Sequence, residues 1–305
     1  MILVLGGTGF VGGAVVRELA AQGGQVRCLA RDPQRARAHL AGLAGVEVVA
    51  GDIRQVESLR AALDGCERAV AAIQFPNFPI ENRRRGYTFT QIDLQGCLNL
   101  LEAARGHHLK RLVYVSGAGA DKASPKEWFR VKGLAEEAIQ RSGLEHVIFR
   151  PSWVYGPGDR SLNRFLGLAR WLPCVPVIGD GRQTIAPVYI DDVARIIAQG
   201  VQEPAAANRI IELGGDEVLA FNEIIRQALR VAGRSRPLLH LPVSMMRAMA
   251  WGLQFLPGPP LTPQAVEFVA TVGGVSDTAA LKALFHPSLL SYEKGLRRYL
   301  GSPQV

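Results

Sequence analysis

Three glycines near the start of the chain carry the strongest chemical signal. Gly6, Gly9 and Gly12 recur at three-residue spacing in Gly6-Gly7-Thr8-Gly9-Phe10-Val11-Gly12, directly after the apolar run Ile2–Leu5 and at the opening of a helix-like segment that continues through Ala21. Without side chains the turn tightens and the backbone can approach a pyrophosphate, while the helix N-terminus offers free N–H groups and a favourable dipole. Strand, glycine loop and helix together predict dinucleotide binding through Gly6, Thr8, Gly9, Phe10, Val11 and Gly12. The bland alternative is a tight strand-to-helix turn.

A second group of polar residues bears on which dinucleotide is bound. The end of the next strand-like run reads Val26-Arg27-Cys28-Leu29-Ala30-Arg31-Asp32. Ala30 leaves vacant the acidic position that takes the ribose 2′-hydroxyl in NAD enzymes. Arg31, with Arg35 near it in sequence, could pair with a 2′-phosphate, which predicts NADP. NAD is the alternative, with Asp32 on the ribose and Arg31 capping a helix. Gly51-Asp52-Ile53 closes the third run, where Asp52 could accept a hydrogen bond from the adenine edge and Ile53 pack on the ring. Asp52 also suits a cap for a helix over 55–63. Ala72, in the fourth run, completes this side of the expected cofactor shell.

These residues must be positioned by alternating elements. Apolar runs at Ile2–Leu5, Val26–Leu29, Val46–Val49, Ala69–Ile73, Leu112–Val115 and His146–Phe149 read as strands. Between them Gln34–Leu43, Val56–Leu63, Thr90–Gly106 and Trp128–Ser142 have helical spacing. Six strands alternating with helices imply an α/β fold of the Rossmann type, a doubly wound parallel sheet with helices on both faces and ligands at its carboxyl ends. After Arg150-Pro151 the texture changes. Ala186–Ile190 reads as a strand, Asp191–Gly200 as a helix capped by Asp191, and Ile210–Leu213 as one more strand, before helices dominate from 216 with a hinge at Pro257–Pro260. The expected domains are 1–150 with 185–215 for the dinucleotide, and 151–184 with 216–305 as a smaller interleaved lid. Pro151, and the backbone of Ser152 to Val154, could meet the nicotinamide carboxamide or only form the domain crossover.

Composition narrows the function classes. Charged residues are 20% of the chain and apolar ones 48%, which excludes intrinsic disorder. The net charge of +8 comes from 29 arginines and only six lysines, and suits phosphates, carboxylates or acidic lipid surfaces. It is too dispersed to predict nucleic-acid binding, and Arg83-Arg84-Arg85 reads as a solvated loop. The four cysteines and six histidines have no metal-ligand spacing, so no metal site and no disulfide framework are expected. With no leader-like start and no apolar run of membrane-spanning length, a soluble cytoplasmic protein is expected, at most peripheral to the inner membrane. Met245–Leu256 is apolar with Arg247 its lone charge. It reads as a core helix, with an apolar substrate pocket or a membrane-contacting surface as alternatives.

The motifs GGTGFVGG (6–13), RDP (31–33), GDI (51–53), SGAGAD (116–121), RPSWVYGPGD (150–159), LNRF (162–165), PVYIDDVA (187–194) and IELGG (211–215) together resemble the extended and atypical short-chain dehydrogenases/reductases. Within that superfamily the chain is most similar to the atypical, NmrA-like group that includes the accessory NAD(P)H-binding subunit of complex I. In catalytic members of the superfamily a serine orients the substrate carbonyl, a tyrosine exchanges the proton, and a lysine four residues later tunes the tyrosine and holds the nicotinamide ribose. The resemblance puts Ser116 and Lys132 in the serine and lysine roles, but Trp128 stands at the tyrosine position. An indole N–H donates a hydrogen bond but is no acid or base near neutral pH. The nearest tyrosines, Tyr114 and Tyr155, are not one helical turn before a lysine. Two readings follow from the resemblance. The dinucleotide is a structural or sensing ligand, linked to respiratory or quinone metabolism. Alternatively, the protein is an NADPH-dependent oxidoreductase acting on a small apolar carbonyl, quinone or imine between Ser116, Trp128 and the lid helix, with Lys132 assisting. Its expected partners are the dinucleotide, the apolar substrate, and a membrane or respiratory complex.

Overall fold

The structure is a computed structural model that describes residues 1–256, 261–271 and 277–301. The Pro257–Pro260 hinge expected from sequence lies outside the described residues. The first half alternates strand and helix: β1 (Ile2–Leu5), α1 (Phe10–Ala21), β2 (Val26–Ala30), α2 (Pro33–His39), β3 (Val46–Ala50), α3 (Val56–Leu63), β4 (Arg68–Ala71), α4 (Gln95–Ala104), β5 (Arg111–Val115), α5 (Glu127–Arg141) and β6 (Glu145–Pro151). The second half holds β7 (Val154–Tyr155), α6 (Arg160–Trp171), β8 (Val175–Ile178), β9 (Thr184–Ile185), β10 (Val188–Tyr189), α7 (Ile190–Gly200), β11 (Arg209–Leu213), β12 (Leu219–Ala220), α8 (Phe221–Val231), β13 (Leu238–Leu241), α9 (Val243–Leu253), α10 (Pro263–Thr271), α11 (Ala279–Phe285) and α12 (Tyr292–Leu300).

One seven-stranded sheet has the order β11-β6-β5-β4-β1-β2-β3, and each adjacent pair is parallel. The chain winds outward from β1 through β2 to β3, then restarts at β4 and winds the other way. The switch between β1 and β4 opens a crevice at the carboxyl ends, where such sheets bind ligands. Parallel strands covered on both faces read as continuous apolar runs, which is why β1 and β5 are buried along their whole length. Alternate β1 residues feed two cores. Ile2 and Val4 join Val15, Val16 and Leu19 of α1 and Val193 and Ile197 of α7. Leu3 and Leu5 join Leu59 and Leu63 of α3, Leu100 of α4, and Val131 and Ile139 of α5.

Sequence reading and structure part in three places. The helical run Thr90–Gly106 is two elements, a π-helical stretch at Phe89–Leu94 followed by α4. The strand expected at 186–190 is reduced to β10, which pairs with β7 in a separate two-stranded ribbon, and the Ala186 carbonyl just before it accepts from Gly215 N–H. Asp191 does not cap α7. Tyr189 is the N-cap and Asp191 lies inside the first turn, near Arg298 at 3.5 Å. In the second half β8 pairs with β13 and β9 with β12, forming small ribbons among helices. Among the described residues no helix is long and apolar enough to cross a membrane.

Phe149 of β6 is fully buried, with its ring 5.7 Å from that of Phe285 and against Gly200 of α7. Phe149→Ala therefore opens a cavity between sheet and helices, and chemical unfolding should record a loss of about 3–5 kcal/mol.

Candidate functional site

The glycine loop forms a closed backbone cradle. Gly6 sits at φ +79°, a conformation that L side chains rarely adopt, and a Cβ there would stand 2.1 Å from the Ala72 carbonyl oxygen. A Cβ at Gly12 would stand 2.2 Å from Gly6 O. Gly9 N–H donates to Gly6 O at 2.8 Å and serves as N-cap of α1, with no side chain capping the helix. The first N–H groups of α1 therefore keep their donors for an anion, with no acidic residue in the first turn to repel it. This geometry fits a pyrophosphate.

At the end of β2, Arg31 is exposed and its guanidinium lies 5.0 Å from the centre of the Tyr87 ring. It lines an open groove of about 770 Å³ with Asp32, Pro33, Gln34, Arg37 and Val48–Ala50. Asp32, not Arg31, caps α2, accepting from Arg35 N–H at 3.0 Å. The alternative of Arg31 as cap is thereby removed. The Asp52 carboxylate is gripped by Arg54, whose Nη2 is 2.5 Å from Oδ2 and whose backbone N–H donates to Oδ1. Burial works to raise this carboxyl, but the Arg54 hydrogen bonds and charge hold it below its ordinary range. Asp52 is no cap for α3, because Gln55 occupies that position. Ile53 packs beside Gly96 of α4, and its carbonyl accepts from Asn99.

At the carboxyl end of β5 the polar groups are tied to one another. Lys132 of α5 is 2% exposed, and its Nζ lies 2.9 Å from Oδ1 of Asp93, which is completely buried. The same ammonium donates to Val115 O at 3.4 Å and sits 5.1 Å from the ring centres of both Tyr114 and Trp128. Asp93 Oδ2 has no donor among the described residues. Burial pushes the Asp93 carboxyl up, against the pull of Lys132. One turn after Lys132, Glu136 accepts from Ser116 Oγ at 2.5 Å and is clamped bidentately by Arg150, at 3.0 and 2.5 Å. Neither Asp93 nor the Glu136–Arg150 clamp was assigned from sequence. Asp93 is the single acid of the π-helical stretch, between Ile92 and Leu94, and only the fold brings it beside Lys132.

Trp128 closes this site. Its indole lies 3.0 Å from where a Cβ on Gly117 would stand. It belongs to a cluster of five rings with Phe75, Phe78, Phe89 and Phe268, whose neighbouring centroids are 4.8–5.6 Å apart. The helix that reaches Trp128 is α10, through Phe268; the Met245–Leu256 segment, read as a core helix with a substrate pocket as one alternative, buries only Met246 and Ala250. Tyr155 is no alternative acid. It is buried in the other core, donates to Tyr292 O, and burial pushes its phenol far above its ordinary range. Around the crossover, Pro151 O accepts from Ala118 N–H, Ser152 N–H donates to Leu213 O, and Val154 pairs with Val188. The Ser152 N–H is therefore engaged within the protein, while its Oγ is buried without a partner among the described residues.

Residues 6–167 match the NAD(P)H-binding family. The chain belongs to that family. It falls in the atypical, NmrA-like group of short-chain dehydrogenases/reductases. It is 29% identical over 258 residues to NADH dehydrogenase (ubiquinone) 1 alpha subcomplex subunit 9, mitochondrial, of Arabidopsis thaliana, covering 83% of this chain but 63% of the relative, less than two thirds of its length. It is 28% identical to the 2-alkyl-3-oxoalkanoate reductase of Stenotrophomonas maltophilia, over 99% of this chain and 98% of that one. A solved NADPH-dependent quinone oxidoreductase of Escherichia coli, in complex with NADPH, shares the fold, with a TM-score of 0.75, 21% identity and coverage of 98% and 99%.

Removing one partner of the buried pair leaves the other charge uncompensated. Asp93→Asn is expected to destabilise the protein by about 3–5 kcal/mol, and Asp93→Leu with Lys132→Met to recover most of that loss in chemical unfolding.

Proposed function

We propose that the chain binds NADP(H) and holds it as a structural or sensing ligand, without tyrosine-driven turnover. The observation that carries this reading is that the two side chains in the catalytic serine and lysine positions, Ser116 and Lys132, are engaged within the protein. An ionised carboxylate only accepts, so Ser116 gives its one proton to Glu136 and offers the site only lone pairs. Lys132 is held by Asp93, and the Trp128 indole N–H is neither an acid nor a base near neutral pH. The glycine loop would hold the pyrophosphate. Asp52, Ile53 and Ala72 would flank the adenosine half, and Pro151 with Ser152 and Val154 the carboxamide. In this reading residues 1–150 and 185–215 carry the dinucleotide, and 151–184 with 216–305 cover it. Arg31 favours NADP, being exposed and next to the non-acidic Ala30 while Asp32 is committed to its cap. Likeness to a complex I subunit supports a role beside a respiratory complex.

A second reading is favoured by the ring cluster. Five aromatic side chains suit a flat apolar acceptor such as a quinone, and the full-length likeness to an oxoalkanoate reductase points to carbonyls. The bound dinucleotide would supply the hydride, and Lys132 or a water the proton.

Calorimetric titration of stripped protein with NADPH, NADH and their oxidised forms tests the binding reading. NADPH should bind selectively, and Arg31→Ala should weaken it by about tenfold while sparing NADH. Equal affinity for NADH overturns the NADP assignment. NADPH oxidation assays with quinones and carbonyls divide the two readings: no turnover supports the ligand role, and turnover lost in the Lys132→Met/Asp93→Leu pair supports the reductase.

A further inference from the structure

The helix α9 is built against the usual rule for a surface helix. Only Met246 and Ala250 are buried, packed against Val266 of α10 with Ile178, Leu241 and Leu261. The opposite side is apolar and open to solvent. Met245 is 50% exposed, Met249 50%, Trp251 64%, and just past the helix Phe255 72% and Leu256 51%. Trp251 and Phe255 hold each other edge to face at 5.5 Å. A soluble surface helix turns its charged side outward, whereas this one turns out methionine, tryptophan and phenylalanine.

From Leu238 to Leu256, through β13, α9 and the turn after it, Arg247 is the one Asp, Glu, Lys or Arg in the sequence. The wider stretch from Ile224 to Val266 has five arginines (226, 230, 234, 236 and 247) and no aspartate or glutamate, with Arg230 paired to Glu223 and Glu267 exposed on α10. Arg247 is exposed on α9 itself, one turn before Trp251, and has no carboxylate partner among the described residues. An apolar face bearing an aromatic pair, on a helix whose one charge is the arginine Arg247, matches an interfacial helix whose side chains sink to the headgroup boundary while its guanidinium meets lipid phosphates.

We propose that α9 and the Phe255-Leu256 turn dock the protein on an anionic lipid bilayer. The lipid phosphates complement the arginines, and the acyl boundary takes the apolar side chains. Because α9 packs on α10, the helix whose Phe268 touches Trp128, the docked surface and the aromatic cluster share one structural unit.

The test is flotation of the full chain with phosphatidylcholine vesicles, with and without phosphatidylglycerol, at low and high salt. The protein should float with the anionic vesicles at low salt, and less at high salt or on pure phosphatidylcholine. Trp251→Ser with Phe255→Ser should reduce the floated fraction by roughly tenfold, and Arg247→Glu should also reduce it, with dinucleotide affinity unchanged in each variant. Absence of flotation on anionic vesicles at low salt overturns the proposal, as does flotation that the serine pair leaves intact. Light scattering that shows a dimer abolished by the serine pair would assign this face to a second copy of the chain and overturn it as well.

Discussion

An ammonium group removed from water must find compensation at once, and around Lys132 the protein spends three elements in providing it. Asp93 comes from the π-helical stretch, the Val115 carbonyl from the end of β5, and the Tyr114 and Trp128 rings from β5 and α5. Their agreement fixes how α5 lies on the sheet. Once α5 is fixed, Glu136 falls one turn further along, beside Ser116 and within reach of Arg150. A buried charge pair and a half-buried one, anchored on one face of α5, thus set the floor of the site. A buried pair of this kind is weak evidence for stability but strong evidence for geometry, since either partner alone is costly to keep.

The floor determines what chemistry is open above it. A serine that donates to a clamped carboxylate cannot also donate to a substrate carbonyl, and a lysine bound to a buried aspartate cannot also serve a tyrosine that is absent. What remains is an anion cradle at one end of the crevice, where the glycines leave the α1 donors free, and an aromatic wall at the other. The cradle binds by backbone and dipole, so it needs no catalytic residue to hold a dinucleotide.

The fold was largely legible in the sequence, because a parallel sheet buried on both faces leaves continuous apolar runs and its helices leave periodic ones. The six strands of the first half stand where the runs are, with ends shifted by a residue or two, and Ile210–Leu213 joins the sheet as β11. The second half was harder to read. Its ribbons are two to four residues long, too short for a periodic signal, and each pairs segments tens of residues apart. The apolar Met245–Leu256 run read as a core helix and proved largely exposed, since hydrophobicity alone does not say which side faces water.

The sequence by itself determined the glycine cradle, the absence of an acid at Ala30 and the tryptophan one turn before Lys132, because each is a matter of residue type at fixed local spacing. Tertiary structure decided the partners. Asp93 and Lys132 are 39 positions apart, and Phe268 lies 140 positions beyond Trp128, yet each pair is in contact. It also decided that Asp32 caps α2 while Arg31 stays exposed, and that α9 turns its apolar side outward. The physical reason is common to all of these. A side chain's chemistry depends on what has displaced water around it, and that is settled only when segments remote in sequence pack together.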